Sequence, residues 1–308
     1  MLRYFIKRLL FSIPSLLVFL IALFFLLRLA PGGPFDGEQV WPPEVQANIL
    51  KKYHLDQPLH RQLTEWLIQL GHGDLNESFQ YLGKPVTEIL AETFPVSLLL
   101  GTLALGVCIS VGIFFGGIAA WRQGSLADRL LLFISSVSIS LPVFLIASVL
   151  VLIFSLQLKW LPPALWEGPS SAILPVLALS WRPSAIVFQL TRSTLIESLR
   201  SDFVRTARGK GVPEYGIIFK HALKNALIPV LGALGPIAAN LVTGSFLVEL
   251  IFQIPGMGKY FVHAVLNRDY PLVMGVTLLY GGILILTHIL VDLAYALVDP
   301  RIRLGESL

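Results

Sequence analysis

Six stretches of the chain stay apolar for long enough to cross roughly 30 Å of hydrocarbon. They lie at residues 9–29, 95–120, 130–157, 173–191, 226–252 and 272–298. In lipid a segment must satisfy its own backbone, so each is expected to be a helix. The first follows Arg3, Lys7 and Arg8. It is too long for the apolar core of a signal peptide, and Pro31 after Ala30 makes a poor cleavage site, so it reads as a retained anchor.

Two polar insertions interrupt this pattern. In residues 30–94 a helical period returns: Leu59, Leu63, Trp66, Leu67 and Leu70 share a face after Pro58, and Val45, Ile49 and Tyr53 form a weaker one after Pro42-Pro43. These predict short amphipathic helices that either dock as a small cap or lie on the membrane surface. In residues 197–225, Gly209 and Gly211 interrupt the helix that leaves span 4. Pro213 is placed to open a new helix, with Glu214 at its positive end. That helix puts Tyr215, Ile218, Phe219, Ala222 and Ala226 on one face and Glu214, His221 and Lys224 on another, with Ile217 breaking the polar stripe. A short helix carried beyond the membrane is a knob that another protein can grip. A basic loop that only sets orientation would need none of this.

Composition agrees with a membrane protein: 55% of the 308 residues are hydrophobic and 14% charged, with mean hydropathy +0.74. The net charge of +4 does not point to nucleic acid, because the basic residues are distributed by side. Fourteen Lys and Arg fall before span 1, in 121–129, in 192–225 and after 298; seven fall in 30–94, 158–171 and 253–271. The asymmetry places both termini in the cytoplasm and the 30–94 loop, with nine acidic and four basic residues, outside. Cys108, the only cysteine, lies in an apolar run and forms no internal disulfide.

Catalytic patterns are absent. The nearest approach to a phosphate-binding loop, Pro255-Gly-Met-Gly-Lys-Tyr, has Tyr260 where Ser or Thr is required and falls on the external side. The six histidines have no metal-ligand spacing. An intramembrane serine protease would need a serine on an activating turn within reach of His288, and neither Ser180 nor Ser245 has that context. Glu249, His288 and Asp292 are ionisable residues within spans and so candidates for function. Water access or a helix–helix hydrogen bond would account for Asp292 as well as a proton relay would. Arg182, followed by Pro183, marks either a break lining a cavity or a packing kink. Small and polar residues gather at Ser135, Ser136, Ser138 and Ser140 before Pro142, and at Gly232, Gly235, Pro236, Asn240, Thr243, Gly244 and Ser245. Close packing explains most of them. Asn240 and Thr243, three apart on one face, also suit a hydrated path, as do Ser245 and Glu249. Gly112 and Gly116 are assigned to packing.

Arg205-Thr-Ala-Arg-Gly-Lys-Gly, followed after nine residues by His221-Ala-Leu-Lys-Asn-Ala, resembles the cytoplasmic signature of binding-protein-dependent ABC importer permeases. Where the general pattern has Glu-Ala-Ala, three residues and Gly, this chain has Arg205, Thr206, Ala207 and Gly211. Lys224 stands where Pro is usual. Both departures are typical of the peptide and nickel subfamily. Arg28-Leu-Ala-Pro-Gly-Gly-Pro, Pro42-Pro-Glu-Val-Gln-Ala-Asn-Ile, Ile254-Pro-Gly-Met-Gly, Leu266-Asn-Arg-Asp-Tyr-Pro and Asp299-Pro-Arg-Ile-Arg extend the resemblance over nearly the whole chain, toward the first (B-type) permease subunits of oligopeptide transporters. Gln189 departs from it, since a second arginine is expected there ahead of Arg192.

The resemblance implies an all-α integral membrane protein with the type I ABC importer permease fold: six transmembrane helices with both termini cytoplasmic. Residues 1–29 would hold the first span, 30–94 the periplasmic loop, and 95–308 a five-helix core containing the coupling segment 197–225. It implies a non-enzymatic permease subunit for oligopeptides in the bacterial inner membrane, paired with a second homologous permease. Two cytoplasmic subunits would hydrolyse ATP with Mg, and an external binding protein would deliver the peptide. This chain itself would hold no cofactor and no metal. Arg205, Thr206, Ala207, Gly211, Pro213, Tyr215, Phe219, His221 and Lys224 would couple it to an ATPase, and Asn240, Thr243, Ser245 and Glu249 would line the path. Dipeptides, glutathione or nickel remain open as substrates, and a proton-coupled secondary transporter using Glu249 and Asp292 remains the reading from another class.

Overall fold

The computed structural model describes residues 2–34, 50–81 and 83–298, and every regular element among them is helical. Helix α1 (Leu2–Leu29) is the first span, and α2 (Leu59–Gly71) is the predicted amphipathic helix of the external loop. The second span, α3 (Val86–Trp121), starts well inside that loop. Five helical stretches are long and apolar enough to cross a membrane: Leu10–Leu29, Val86–Trp121, Pro169–Leu199, Glu214–Ile251 and Tyr270–Val291.

The third expected span is not one helix. Helix α4 (Leu126–Ser140) and helix α5 (Val143–Leu150), which runs on through a π-helical stretch at Val151–Gln157, meet at a bend of 110°. Pro142 causes the bend. It has no N–H to donate, and it forces the preceding residue out of the helical region; Leu141 is extended at φ −82°, ψ 133°. The expected continuous run over 130–157 is therefore corrected to a broken one, and the described residues hold six candidate spans when the bent pair is counted as one.

Helix α6 (Ile173–Leu199) is the central span. It packs on α3 where glycines let the backbones approach: a Cβ at Gly112 would lie 2.6 Å from Val187 Cβ, and one at Gly116 would lie 2.8 Å from the Phe188 carbonyl oxygen. After α7 (Asp202–Gly209), a continuous helix begins as α8 (Glu214–Gly216), widens to π geometry over Ile217–Ala222 and continues as α9 (Leu223–Val242). The expected span 226–252 also breaks. Gly244, at φ +87°, turns the chain into α10 (Phe246–Ile251), and α11 (Met257–Leu266) follows. The last span is α12 (Tyr270–Val298).

Two buried carboxylates hold the end that carries the 30–94 loop. Glu249 is fully buried; it accepts from Ser97 Oγ at 2.9 Å and from the Lys259 amide at 3.1 Å, while Ser97 Oγ accepts from the Met257 amide. Asp269, also fully buried, accepts from Ser78 Oγ and from the amides of Phe79 (3.1 Å), Gln80 (3.3 Å) and Leu272 (3.3 Å), tying the loop before α3 to the start of α12. The predicted face of α2 docks as expected: Trp66 is buried with Leu20, Phe24 and Met274, flanked by Leu63, Leu67 and Leu70. Of the weaker face, Tyr53 packs on Phe79 with ring centroids 4.7 Å apart; Val45, Ile49 and Pro42-Pro43 lie outside the described residues.

Helices α3 and α9 touch at Gly101, where a Cβ would overlap the Leu241 carbonyl oxygen and the Val242 backbone; a Cβ at Gly106, one turn on, would meet nothing within 4 Å. Gly101→Leu is therefore expected to lower stability by about 2 kcal/mol or more, and Gly106→Leu to leave it nearly unchanged. Cys108 is the sole cysteine and buried, so the reaction of its thiol with a fluorogenic dye during heating in detergent measures both variants.

Candidate functional site

The segment after α6 is built as a rigid knob. Helix α7 ends in a turn in which Gly211 N donates to the Arg208 carbonyl at 3.0 Å and Val212 N to the Ala207 carbonyl at 3.2 Å. Gly211 adopts φ +76° with open space where a side chain would point, so glycine is needed there for conformation and not for clearance. Pro213 is extended and stands just before the new helix, one residue earlier than expected. Arg208 closes the turn onto Glu214 with contacts of 2.6 and 3.3 Å, and that carboxylate raises the Arg208 pKa. The pair is half exposed and worth little by itself.

Apolar packing holds the knob. Leu195, Val204, Ile217, Ala222 and Ala226 are buried together with Ala120. Ser198 Oγ donates to the Ala222 carbonyl at 3.0 Å, and Thr194 Oγ1 to the Ala226 carbonyl at 2.9 Å. The expected apolar face therefore divides: Ile218, Ala222 and Ala226 turn inward together with Ile217, while Tyr215 and Phe219 are 73% and 55% exposed. The π-helical stretch at Ile217–Ala222 is the reason, since its wider turn moves Ala222 and Ala226 off the face that carries Tyr215 and Phe219. The two exposed rings lie 4.6 Å apart. Phe203 on α7 is exposed as well.

Arg205, Thr206, Gly211, Pro213 and Lys224 are exposed and Ala207 is partly buried. Arg205 reaches Asp202 at 3.8 Å. The side chain of His221 lies outside those described. Sequence reading missed the pair that anchors α4 here: Asp128, its side chain 2% exposed, accepts from Arg192 Nε at 2.6 Å and Nη2 at 2.8 Å and from the Gly124 amide at 2.8 Å. Gln189, where an arginine was expected, donates to Ser135 Oγ at 3.0 Å. The Asp128–Arg192 spacing of 64 residues gives no local signal in the sequence.

The four expected path residues separate. Asn240 is exposed, with Tyr280 O–H donating to its Oδ1 at 3.3 Å. Thr243 is buried, its hydroxyl spent on the Ala239 carbonyl at 2.8 Å. Ser245 is partly buried at the turn, and Glu249 belongs to the external knot already described. The exposed face of α9 instead carries Asn225, Pro229, Pro236 and Asn240, which share one helical face. The two prolines donate nothing, so the carbonyls of Asn225 and Gly232 lack their helical partners on that same face. Exposed positions on other spans include Phe19, Phe114, Phe133 and Ile134, beside small hydroxyl residues such as Ser110 and Ser136 that leave no backbone carbonyl open. The α9 face is thus unlike the lipid-facing ones, because free carbonyls are costly in hydrocarbon. His288 Nδ1 lies 2.9 Å from the Leu284 carbonyl, and the side chain of Asp292 lies outside those described. No cluster of metal-ligating side chains occurs among the described residues.

Residues 112–304 match the family of binding-protein-dependent transport system inner membrane components. The chain is 44% identical over 305 residues to the oligopeptide transport system permease protein OppB of Haemophilus influenzae, covering 98% of this chain and all of the relative. Identity and coverage are the same for the protein of that name from Salmonella typhimurium. The dipeptide transport system permease protein DppB of Bacillus subtilis is 42% identical over 307 residues, the full length of both chains.

The conformational role of Gly211 is separable from its size. Valine there is expected to strain the turn by about 1–3 kcal/mol, whereas asparagine tolerates this region. Trypsin should cut Gly211→Val after Arg208 and Lys210 on the order of tenfold faster than the parent chain, and Gly211→Asn at nearly the parent rate.

Proposed function

We propose that this chain, which belongs to the family of binding-protein-dependent transport system inner membrane components, is the peptide-conducting permease subunit of an ATP-driven importer. Family membership makes it a multi-pass inner-membrane component of a transport system that works with a binding protein. The finer reading supplies a second homologous permease, two cytoplasmic subunits that hydrolyse ATP with Mg, and an external protein that delivers peptide. Full-length identity to an oligopeptide permease and, slightly lower, to a dipeptide permease supports peptides as the cargo and oligopeptides as the first choice among them.

The observation that carries the coupling role is the pair Tyr215 and Phe219, two large rings exposed at the tip of a knob whose own base is tightly packed. Exposed aromatics on an ordered polar segment mark a surface that another protein covers. ATP-driven closure of the ATPase dimer would pull this knob, and α6 with it through the Ser198 and Thr194 bonds, opening the spans alternately to either side. The proton-coupled reading is weaker, because Glu249 is fully buried and its carboxylate is already engaged by Ser97 and the Lys259 amide.

Uptake of a labelled tripeptide should vanish in cells lacking this chain, return with it, and survive collapse of the proton gradient while ATP is maintained. Phe219→Asp should reduce uptake at least about tenfold with the chain still inserted at normal levels; normal uptake would remove the knob from the mechanism. The orientation has its own check. Single cysteines at the exposed positions Thr64 and Tyr215, in a chain lacking Cys108, should react with a membrane-impermeant reagent from opposite sides, Thr64 from outside.

A further inference from the structure

Helix α6 is the most enclosed of the spans, yet Arg182 lies exposed on it. This position is about 14 Å along the helix from Ile173, at 1.5 Å per residue, and so near the middle of the membrane. Among the described residues no acidic side chain pairs with it. A guanidinium at that depth is not left against lipid, because the cost of dehydrating it is too high. Its surroundings are consistent with water. Arg182, Ile186, Gln189, Ser193 and Glu197 follow one helical face toward the end that carries the knob, and Ser193 and Glu197 are exposed. On the other side of Arg182, Leu174, Ala178 and Leu179 are sealed in an apolar cluster with Ile146 of α5 and Val248 of α10. Arg182 therefore sits where an apolar closure gives way to a polar face. The neighbouring α9, joined to α6 through Val187 and Val230, presents its own face of freed carbonyls and Asn240.

Resting on the peptide-import reading above, we propose that Arg182 is a carboxylate-binding residue of the translocation path, which receives the C-terminal carboxylate of the peptide as it passes the closure. Arginine suits this role because its planar fork matches a carboxylate and stays charged at any working pH. The apolar cluster above it offers no competing acid, and a zwitterionic peptide always brings one carboxylate. The residue acts on a group that every peptide shares, so it would favour peptides as a class without selecting among side chains.

The test compares import of one neutral tripeptide as the free acid and as its C-terminal amide, by the whole complex in proteoliposomes with saturating binding protein. The binding protein is the same in every arm, so its own preference cancels between wild type and variant. The ratio of acid to amide import should fall on the order of tenfold in Arg182→Gln, through loss of acid import with amide import kept, and should be partly restored in Arg182→Lys. An equal fall for acid and amide, an unchanged ratio, or failure of Arg182→Gln to assemble with the second permease would overturn the proposal, the last by assigning the arginine to a contact between permeases. Absence of ATP-dependent import of either peptide by the wild-type complex would instead defeat the peptide-import reading itself.

Discussion

Hydrocarbon offers no hydrogen bonds, so every departure of this chain from a continuous helix must carry its own partners. Three buried acids meet that requirement among the described residues: Asp128, Glu249 and Asp269. Each stands beside an interrupted helix and accepts from backbone amides that the interruption frees. Glu249 serves the loop between α10 and α11, Asp269 the junction of the external loop with α12, and Asp128 the turn between α3 and α4. An amide left without an acceptor in such a place costs about 1–3 kcal/mol, and Asp269 alone takes three. The glycines beside Glu249 belong to the same arrangement, since a Cβ at Gly256 would stand 2.6 Å from its carboxyl carbon.

The end that carries the knob is built differently. There α6 serves as a common wall, with the knob packed on it through Leu195 and the Ser198 and Thr194 bonds, and α4 bound to it through Asp128–Arg192 and Gln189–Ser135. Helix α4 contributes no residue to the buried apolar clusters, whereas α5 contributes Ile146, Ala147 and Leu150 to the external one. The bend at Leu141–Pro142 thus joins a limb held by polar contacts to a limb held by apolar packing.

The spans were legible because their signal is local and large: a run of some twenty apolar residues needs no knowledge of the fold. Pro142 and Gly244 were visible as residues, but whether a proline kinks a span or turns it through 110° depends on what the next segment packs against. The helix stop at Gly209 and Gly211 was also readable, though only the structure assigns the positive φ to Gly211. The orientation of Tyr215 and Phe219 was not, because a π-helical stretch shifts the face by one residue and the apolar pattern does not mark it. Thr243 was misplaced for a related reason. Helical spacing puts it beside Asn240, but the helix ends at Val242, and the threonine lies inside the turn.

Exposure in a single permease chain has three physical meanings, and residue chemistry separates them. Phe114, Phe133 and Ile134 lose nothing in contact with acyl chains, so their exposure needs no partner. Tyr215 and Phe219 lie on a charged segment among Arg208, Lys210 and Glu214, which requires water, and there each uncovered ring forgoes about 1.5–3 kcal/mol of burial. That energy is available to a partner that covers them. Pro229, Pro236 and Asn240 fit neither case: too polar for lipid because of the carbonyls they leave open, and too small to anchor a protein. A face of that kind calls for hydrogen-bond donors, from water or from another helix, and it belongs to the same continuous helix that begins with the knob. The knob and the face of open carbonyls are thus one piece of chain, so displacement of the knob cannot leave that face where it was.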